Sequence, residues 1–466
     1  MRTALLPLLL AGTLLASPAL AETLPEAIAA AYSNNPQLAA ARAQVRQVDE
    51  TVPLASVPTR PSVNVQGTFS QDLLENFGDA GRTWQGRLVL TQAIYQGGRV
   101  RADIDAARAR VEAARANLAA VEQDVIVQTI TAYADVLRLR EIVRLNENQV
   151  KVLEQELRAS RDRFEVGDVT RTDVAQSEAR LALARANLTN AQGQEVVGRQ
   201  TYERVVGRPP VALAPLPPLP QLPASPEEAR QVATATNPDL IAARFNERAA
   251  ERNVSSTVRQ RGPNIGMQAA AQYTRIEGGP AFFGFSGFNP SIGVQLAVPI
   301  FTGGRIAAQV RQAKAVQSQQ LELITLAERQ VSAAAVGNYA QLNAAEAVIQ
   351  SAKVQVSANE LAAEGVRQEN QVGSRDILDV LNAQQELLNS RVTLVTAERD
   401  RYVIAYQLLA AMGLADVALE GAPVTRYDAK ANAERLKGKG FSEFGYGPDP
   451  EKDRARNTAP LIGPQP

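Results

Sequence analysis

Two tandem copies of one unit, mainly α-helical with a membrane β-barrel portion, are what this sequence predicts. Three features carry that reading: a motif order that occurs twice, short stretches that alternate apolar with polar residues, and very long stretches with a coiled-coil seam.

The duplication organises everything else. Asn35-Pro36-Gln37-Leu38-Ala39-Ala40-Ala41-Arg42 recurs as Asn237-Pro238-Asp239-Leu240-Ile241-Ala242-Ala243-Arg244, 202 positions later. Tyr95-Gln96-Gly97-Gly98-Arg99 recurs as Phe301-Thr302-Gly303-Gly304-Arg305, and Val166-Gly167 as Val372-Gly373, both now 206 positions apart. The first repeat spans 22–207 and the second 226–420. Between them, 208–225 is proline-rich; lacking amide donors, it can continue neither a helix nor a sheet interior and reads as an extended linker. Each repeat has the order short helix, strand, loop, strand, Gly-Gly corner, very long helix, Val-Gly turn, second long helix. The Gly97-Gly98 and Gly303-Gly304 pairs lack the flanking pattern of a nucleotide site and are expected at corners that need φ freedom.

The strands are expected at 62–70, 84–92, 264–274 and 291–298. In the first, Val63, Val65, Gly67 and Phe69 share one face and Ser62, Asn64, Gln66, Thr68 and Ser70 the other. In the last, Ile292, Val294, Leu296 and Val298 oppose Ser291, Gly293, Gln295 and Ala297. About nine to eleven residues of this pattern cross a bilayer when tilted, with lipid on one face and water on the other. A soluble sheet packed on helices shows the same alternation. Four strands cannot close a barrel, however, and an open edge in lipid leaves backbone groups unpaired, so a membrane reading requires several chains to share one barrel. The connections 71–83 and 275–289 are expected as loops facing outside the cell, the second carrying Phe282, Phe283, Phe285 and Phe288.

From Val100 the apolar positions Ile104, Ala107, Val111, Ala114, Leu118, Val121 and Val125 follow alternating steps of four and three, which is a coiled-coil seam. Adding the 206-residue offset reproduces the register at Ile306, Val310, Ala313, Ile324, Ala327 and Val331, with Gln317 and Gln320 in two places. Val174, Leu181 and Leu188 likewise match Val380, Leu387 and Leu394. One continuous helix from Gly98 to Phe164 would be roughly 100 Å long. Helices of that length must project away from the strands.

Composition sets the compartment and removes most chemistry. Arg2, the apolar run Ala4 to Ala16 and Ala19-Leu20-Ala21 form the three parts of a secretory signal peptide over 1–21, with a mature start at Glu22. The chain has no His and no Cys, which takes away the usual general base, the thiol nucleophile, disulfides and the common zinc, copper and haem ligands. No enzyme activity and no cofactor or metal are expected. With 49 basic against 49 acidic residues there is no basic excess to attract nucleic acid. The polar stretch 421–466 is expected to be a disordered tail.

Taken together, the paired Asn-Pro helices, the aromatic-x-Gly-Gly-Arg corners at Tyr95 and Phe301 and the turns Arg163 to Val174 and Val372 to Ala383 resemble the TolC-type outer-membrane efflux channel family, over nearly all of the chain up to Leu419. The resemblance implies a homotrimer with twelve barrel strands in outer-membrane lipid of a Gram-negative cell and twelve helices enclosing a periplasmic tunnel. It would act as the exit duct of a tripartite efflux pump or type I secretion system, with a periplasmic adaptor (membrane fusion protein) and an inner-membrane transporter of RND, ABC or MFS type as partners. Val166, Gly167, Val372 and Gly373 would be the adaptor-contact turns. Asp379 matches a ring of acidic side chains around the periplasmic aperture. The next ring position, Asp in better-known members, is Asn382 here, and Asp376 one turn earlier either adds to the ring or caps its helix. Arg375 matches an arginine that latches the closed state on a neighbouring Thr-Asp pair, here Thr172-Asp173, whereas a tyrosine of a further latch is replaced by Asn370. The rival reading is a periplasmic coiled-coil adaptor or scaffold, which also has a signal peptide but carries one hairpin rather than two.

Overall fold

The computed structural model describes residues 21–71, 81–277, 285–418 and 421–436. The expected signal peptide (residues 1–20 of it), most of the two outward loops (72–80 and 278–284) and the tail beyond 436 lie outside the described residues. The first repeat runs α1 (Leu24–Asn34), α2 (Pro36–Asp49), α3 (Thr51–Ser56), a 3-10 turn at Val57–Thr59, β1 (Ser62–Gln71), β2 (Arg82–Gln96), α4 (Arg99–Glu165) and α5 (Arg171–Val206). The second runs α6 (Pro226–Thr236), α7 (Pro238–Arg259), β3 (Asn264–Glu277), β4 (Phe285–Ala297), α8 (Arg305–Gln371) and α9 (Ile377–Ala411), followed by α10 (Ala431–Leu436).

The strands form one antiparallel sheet in the order β1-β2-β3-β4, so both β1 and β4 are edges among the described residues. Trp84, Leu88, Ile292, Val294 and Leu296 stand on the exposed face, and Phe69 stacks on its cross-strand partner Trp84 at 4.5 Å between ring centroids. The strands are longer than the alternation indicated. β3 reaches Glu277 and β4 begins at Phe285, so Phe285 and Phe288 are strand residues rather than loop, paired with Ile276 and Tyr273. Pro290 lies inside β4 opposite Ala271, where it contributes no amide donor. A bulge at Ala93/Tyr95 bends β2 toward the Gly97-Gly98 corner. Both corner pairs have positive φ, 61° and 75° in the first repeat and 60° and 81° in the second. At Gly97 a Cβ would also lie 2.8 Å from the Arg259 carbonyl oxygen, so no larger residue fits that corner.

α4 and α8 each hold 67 residues, about 100 Å of helix. The expected seam is on the inside of α4, where Val100, Ala107, Val111, Leu118 and Val125 are buried. The return helices are only about half as long, 36 residues in α5 and 35 in α9. Separate helices complete the way back to the sheet: α7 packs beside the strand-proximal part of α4, with Arg259 donating from Nη1 to the Gly98 carbonyl, before entering β3. The Asn-Pro motif joins the pieces. Asn35 Oδ1 accepts from the amides of Gln37 and Leu38 and so caps α2, while its Nδ2 donates to the Val205 carbonyl at the end of α5. Asn237 repeats this, capping α7 and donating to the Ala411 carbonyl at the end of α9.

Midway along the molecule the core is built from both repeats and two straps. Leu24, Ile28, Leu38, Ile126, Ile130, Tyr133, Tyr202, Tyr406 and Leu409 pack together. The proline-rich segment is not a loose linker: Leu213, Leu216, Leu219 and Leu222 pack on this core, and Leu213 forms a parallel bridge with Glu22. The Tyr133 hydroxyl lies 2.8 Å from the Glu22 carbonyl oxygen and 2.7 Å from that of Ala214, and burial pushes its pKa up to about 12. Residues 421–436 likewise depart from the expected disorder. Val424, Tyr427 and Ala429 pack on the core, the Arg42 guanidinium sits between the rings of Tyr32 and Tyr427 at 4.5 and 5.0 Å, and Asn432 Nδ2 donates to Asp49. A polar composition hid a few well-placed apolar and aromatic contacts.

This strap also covers a half-buried carboxylate. Tyr32 donates to Glu122 at 2.8 Å and accepts from the Tyr427 amide at 3.1 Å. Burial raises the Glu122 pKa above its ordinary value, with Asp416 adding to the rise and the Tyr32 hydrogen bond, Arg42 and Arg426 opposing it. A raised carboxyl pKa favours the folded state below the ordinary carboxyl range, and that advantage is lost as pH rises through the folded value. Glu122→Gln is therefore expected to melt above the parent at neutral pH, the difference shrinking as pH falls toward about 4. Circular-dichroism melts in detergent across that range check this; a gap that widens on acidification contradicts it.

Candidate functional site at the hairpin tips

The two long hairpins end in turns of the same construction. α4 stops at Glu165 and the Gly167 φ is 87°; the Asp168 amide donates to the Arg163 carbonyl at 2.8 Å. In the second repeat the Gly373 φ is 78°, and the Ser374 amide donates to the Glu369 carbonyl at 2.9 Å. This left-handed glycine closure satisfies the carbonyls at each helix end and reverses the chain within a few residues. Val166 and Val372 project from the turns, 73% and 81% exposed. Behind the turns Leu153, Leu157, Leu181 and Ala184 of the first hairpin pack on Ile377, Val380 and Leu381 of the second.

That cluster decides which way α9 faces. With Ile377, Val380 and Leu381 turned inward, Asp379 and Asn382 lie on the exposed side, three residues apart and hence on one face. Asp379 Oδ2 accepts from Arg375 Nη1 at 3.3 Å, and Arg375 Nε donates to Glu369 Oε2 at 2.9 Å. Both carboxylates raise the Arg375 pKa above its already high ordinary value, so the guanidinium stays charged. Asp376 is the N-cap of α9, its Oδ1 accepting from the Leu378 amide at 3.3 Å. Within the chain Arg375 does not meet Thr172-Asp173. Asp173 is engaged in the capping box of α5, accepting from the Thr170 amide at 2.8 Å and the Thr170 hydroxyl at 3.0 Å, while Thr172 is exposed.

Both repeats match the outer membrane efflux protein family, over residues 27–208 and 229–414. The chain belongs to that family. It is 36% identical over 434 residues to the outer membrane efflux protein BepC of Brucella suis, a match covering 93% of this chain and 94% of that one. It is 25% identical to the outer membrane protein TolC of Vibrio cholerae, covering 88% and 95%. Among solved structures, VceC from Vibrio cholerae superposes with a TM-score of 0.71 at 21% identity, covering 84% of this chain and 96% of that one, a likeness of fold. The chain is thus an outer-membrane channel protein, the exit duct of an efflux or type I secretion system, with its helical hairpins in the periplasm. A match running through both repeats is incompatible with the single-hairpin adaptor reading.

Seen as the tip of an efflux-family hairpin pair, the site contains two residues that motif reading passed over. Arg163 Nη1 donates to Asn370 Oδ1 at 2.9 Å and reaches the Asn370 carbonyl at 3.3 Å, and Asn370 Nδ2 donates to the Arg375 carbonyl at 2.8 Å. Arg180 Nη2 donates to Asn382 Oδ1 at 2.8 Å. Each asparagine that departs from the pattern of better-known members thus receives an arginine from the first hairpin. A signal was present: the positions equivalent to Arg163 and Arg180 in the second repeat are Glu369 and Glu386, a reversal of charge between copies.

Asn370→Ala removes the acceptor for Arg163 and the bond to the Arg375 carbonyl, worth on the order of 1–3 kcal/mol of local stability. Amide exchange in the two turns is expected to accelerate while exchange in β1–β4 stays as in the parent. Unchanged exchange at both turns would show that the Arg163–Asn370 link holds nothing together.

Proposed function

We propose that three copies of this chain close one twelve-stranded barrel in outer-membrane lipid and continue it as a twelve-helix tunnel through the periplasm. The observation that carries this reading is the sheet itself: four strands with two free edges and an outward apolar face, at the end of helices about 100 Å long. In the assembly β4 of one copy pairs with β1 of the next, and the exposed apolar residues of α8, among them Val336, Val348, Val354 and Leu361, are covered by a neighbouring copy. The protein has no catalytic task. It passes substrate delivered by an inner-membrane transporter through a periplasmic adaptor, which rests on the exposed tips at Val166, Gly167, Val372 and Gly373.

Asp379 of the three copies rings the periplasmic aperture, with Asn382 one turn above it. Among the described residues Arg375 uses two of its five donors, and in the closed trimer the others reach Thr172 and Asp173 of the adjoining copy. An outer-membrane fraction resistant to salt extraction, with a species that migrates as a trimer before boiling and a monomer after, is the expected behaviour; a monomer soluble in the periplasmic fraction would sink the reading. For the latch, Arg375→Ser is expected to raise the resting single-channel conductance in planar bilayers. Conductance and gating identical to the parent would remove Arg375 from the latch.

A further inference from the structure

Charge around the second ring position is the feature that family likeness does not account for. Most hairpin arginines nearby are neutralised by a carboxylate of the same chain, as in Arg161–Glu178 at 2.7 Å, Arg185–Glu154 at 2.9 Å and Arg391–Glu360 at 2.8 Å. Arg180 instead spends its contact on a neutral amide oxygen, that of Asn382. The pairing therefore fixes the guanidinium in place without cancelling its charge. Its location is set by the apolar cluster behind the turns, which turns Asp379 and Asn382 to the same exposed face, about 4.5 Å apart along the α9 axis. Glu386 lies on that face one turn further on. Along this stripe a carboxylate, a guanidinium held on an amide, and a second carboxylate follow one another, while Arg375 already engages the first.

We propose that Arg180 is a charge-determining residue of the aperture, presented by Asn382 so that three guanidiniums stand at the ring directly above Asp379. The inference rests on the placement of Asp379 and Asn382 at the aperture. Its consequence is a passage that does not act as a purely acidic filter: anionic cargo, whether acidic polypeptide or negatively charged small molecules, is not repelled at the second ring, and multivalent cations find a weaker site than two stacked carboxylate rings would make. Asn382 is then the orienting partner. An amide accepts the Arg180 hydrogen bond without the charge that an aspartate would place under it.

The test is reversal potential in a KCl gradient across a planar bilayer holding the trimer, together with block by cobalt(III) hexammine added on the tunnel side. Arg180→Gln is expected to shift the cation-to-anion permeability ratio toward cations on the order of threefold and to deepen block. Asn382→Asp is expected to act in the same direction by neutralising the guanidinium. Arg180→Lys, which keeps the charge and loses the planar fork, is expected to leave the ratio near the parent value, with trimer migration confirming assembly of each variant. Equal shifts in Arg180→Gln and Arg180→Lys would overturn the proposal by showing that geometry rather than charge is read. Asp379→Ala separates the two levels. If it weakens cation preference while Arg180→Gln changes nothing, the aperture stands and the role of Arg180 falls; if neither variant moves the ratio, the aperture placement fails and takes this proposal with it.

Discussion

A backbone amide or carbonyl in hydrocarbon has no water to turn to, so each must find its partner within protein. Among the described residues β1 and β4 each present a row of such groups to no further strand, because the sheet ends at both. For a chain of the outer membrane that constraint shapes the rest of the molecule. The proposed trimer gives both edges a neighbour and accounts for the exposure of so much of α8, whereas its counterpart α4 carries buried residues along its whole length. The two helices share a register and a length but not an environment: α4 packs chiefly on α5, α7 and α9 of the same chain, and α8 chiefly on α9, α7 and α6, meeting α4 near its end where Asn370 accepts from Arg163.

The middle of the molecule solves a different problem, joining two copies of one unit that were related in sequence but must be held in one rigid frame. Within each repeat Asn35 and Asn237 tie the start of one helix to the end of another. At the end of α9 the fit is tight, since a Cβ on Gly413 would lie 2.5 Å from the Thr236 carbonyl oxygen. The proline-rich strap and the segment 421–436 then cross the helices and bury Tyr133, Tyr202 and Tyr406 beneath them. Proline serves the first strap well, because a segment that pairs with little else loses few hydrogen bonds by lacking amide donors, and its leucines supply the adhesion.

At the tips the same duplication has been made unequal. Equivalent turns close both hairpins with the same glycine geometry, yet the first hairpin carries arginines where the second carries glutamates. The cross-hairpin contacts that result do not join equivalent positions: Arg163 reaches Asn370, next to its counterpart Glu369, and Arg180 reaches Asn382, one turn before Glu386.

Periodicity and repetition in the sequence determined what depends on local chemistry alone: two copies of helix, strand pair and long hairpin; strands with an apolar side; glycine corners at Gly97-Gly98 and Gly303-Gly304; and reversals at Gly167 and Gly373. These follow from spacing that a single segment already displays. Tertiary structure decided what depends on which distant segments meet. No local pattern shows that the return helices stop halfway and α7 completes the path, that β4 starts ahead of Pro290, that residues 421–436 lie across Tyr32 and Arg42, or that Arg375 turns to Glu369 and Asp379 within its own chain. Charged side chains at the tip have several partners within reach, and only the relative register of the packed hairpins, set by the apolar cluster around Leu181 and Val380, chooses among them.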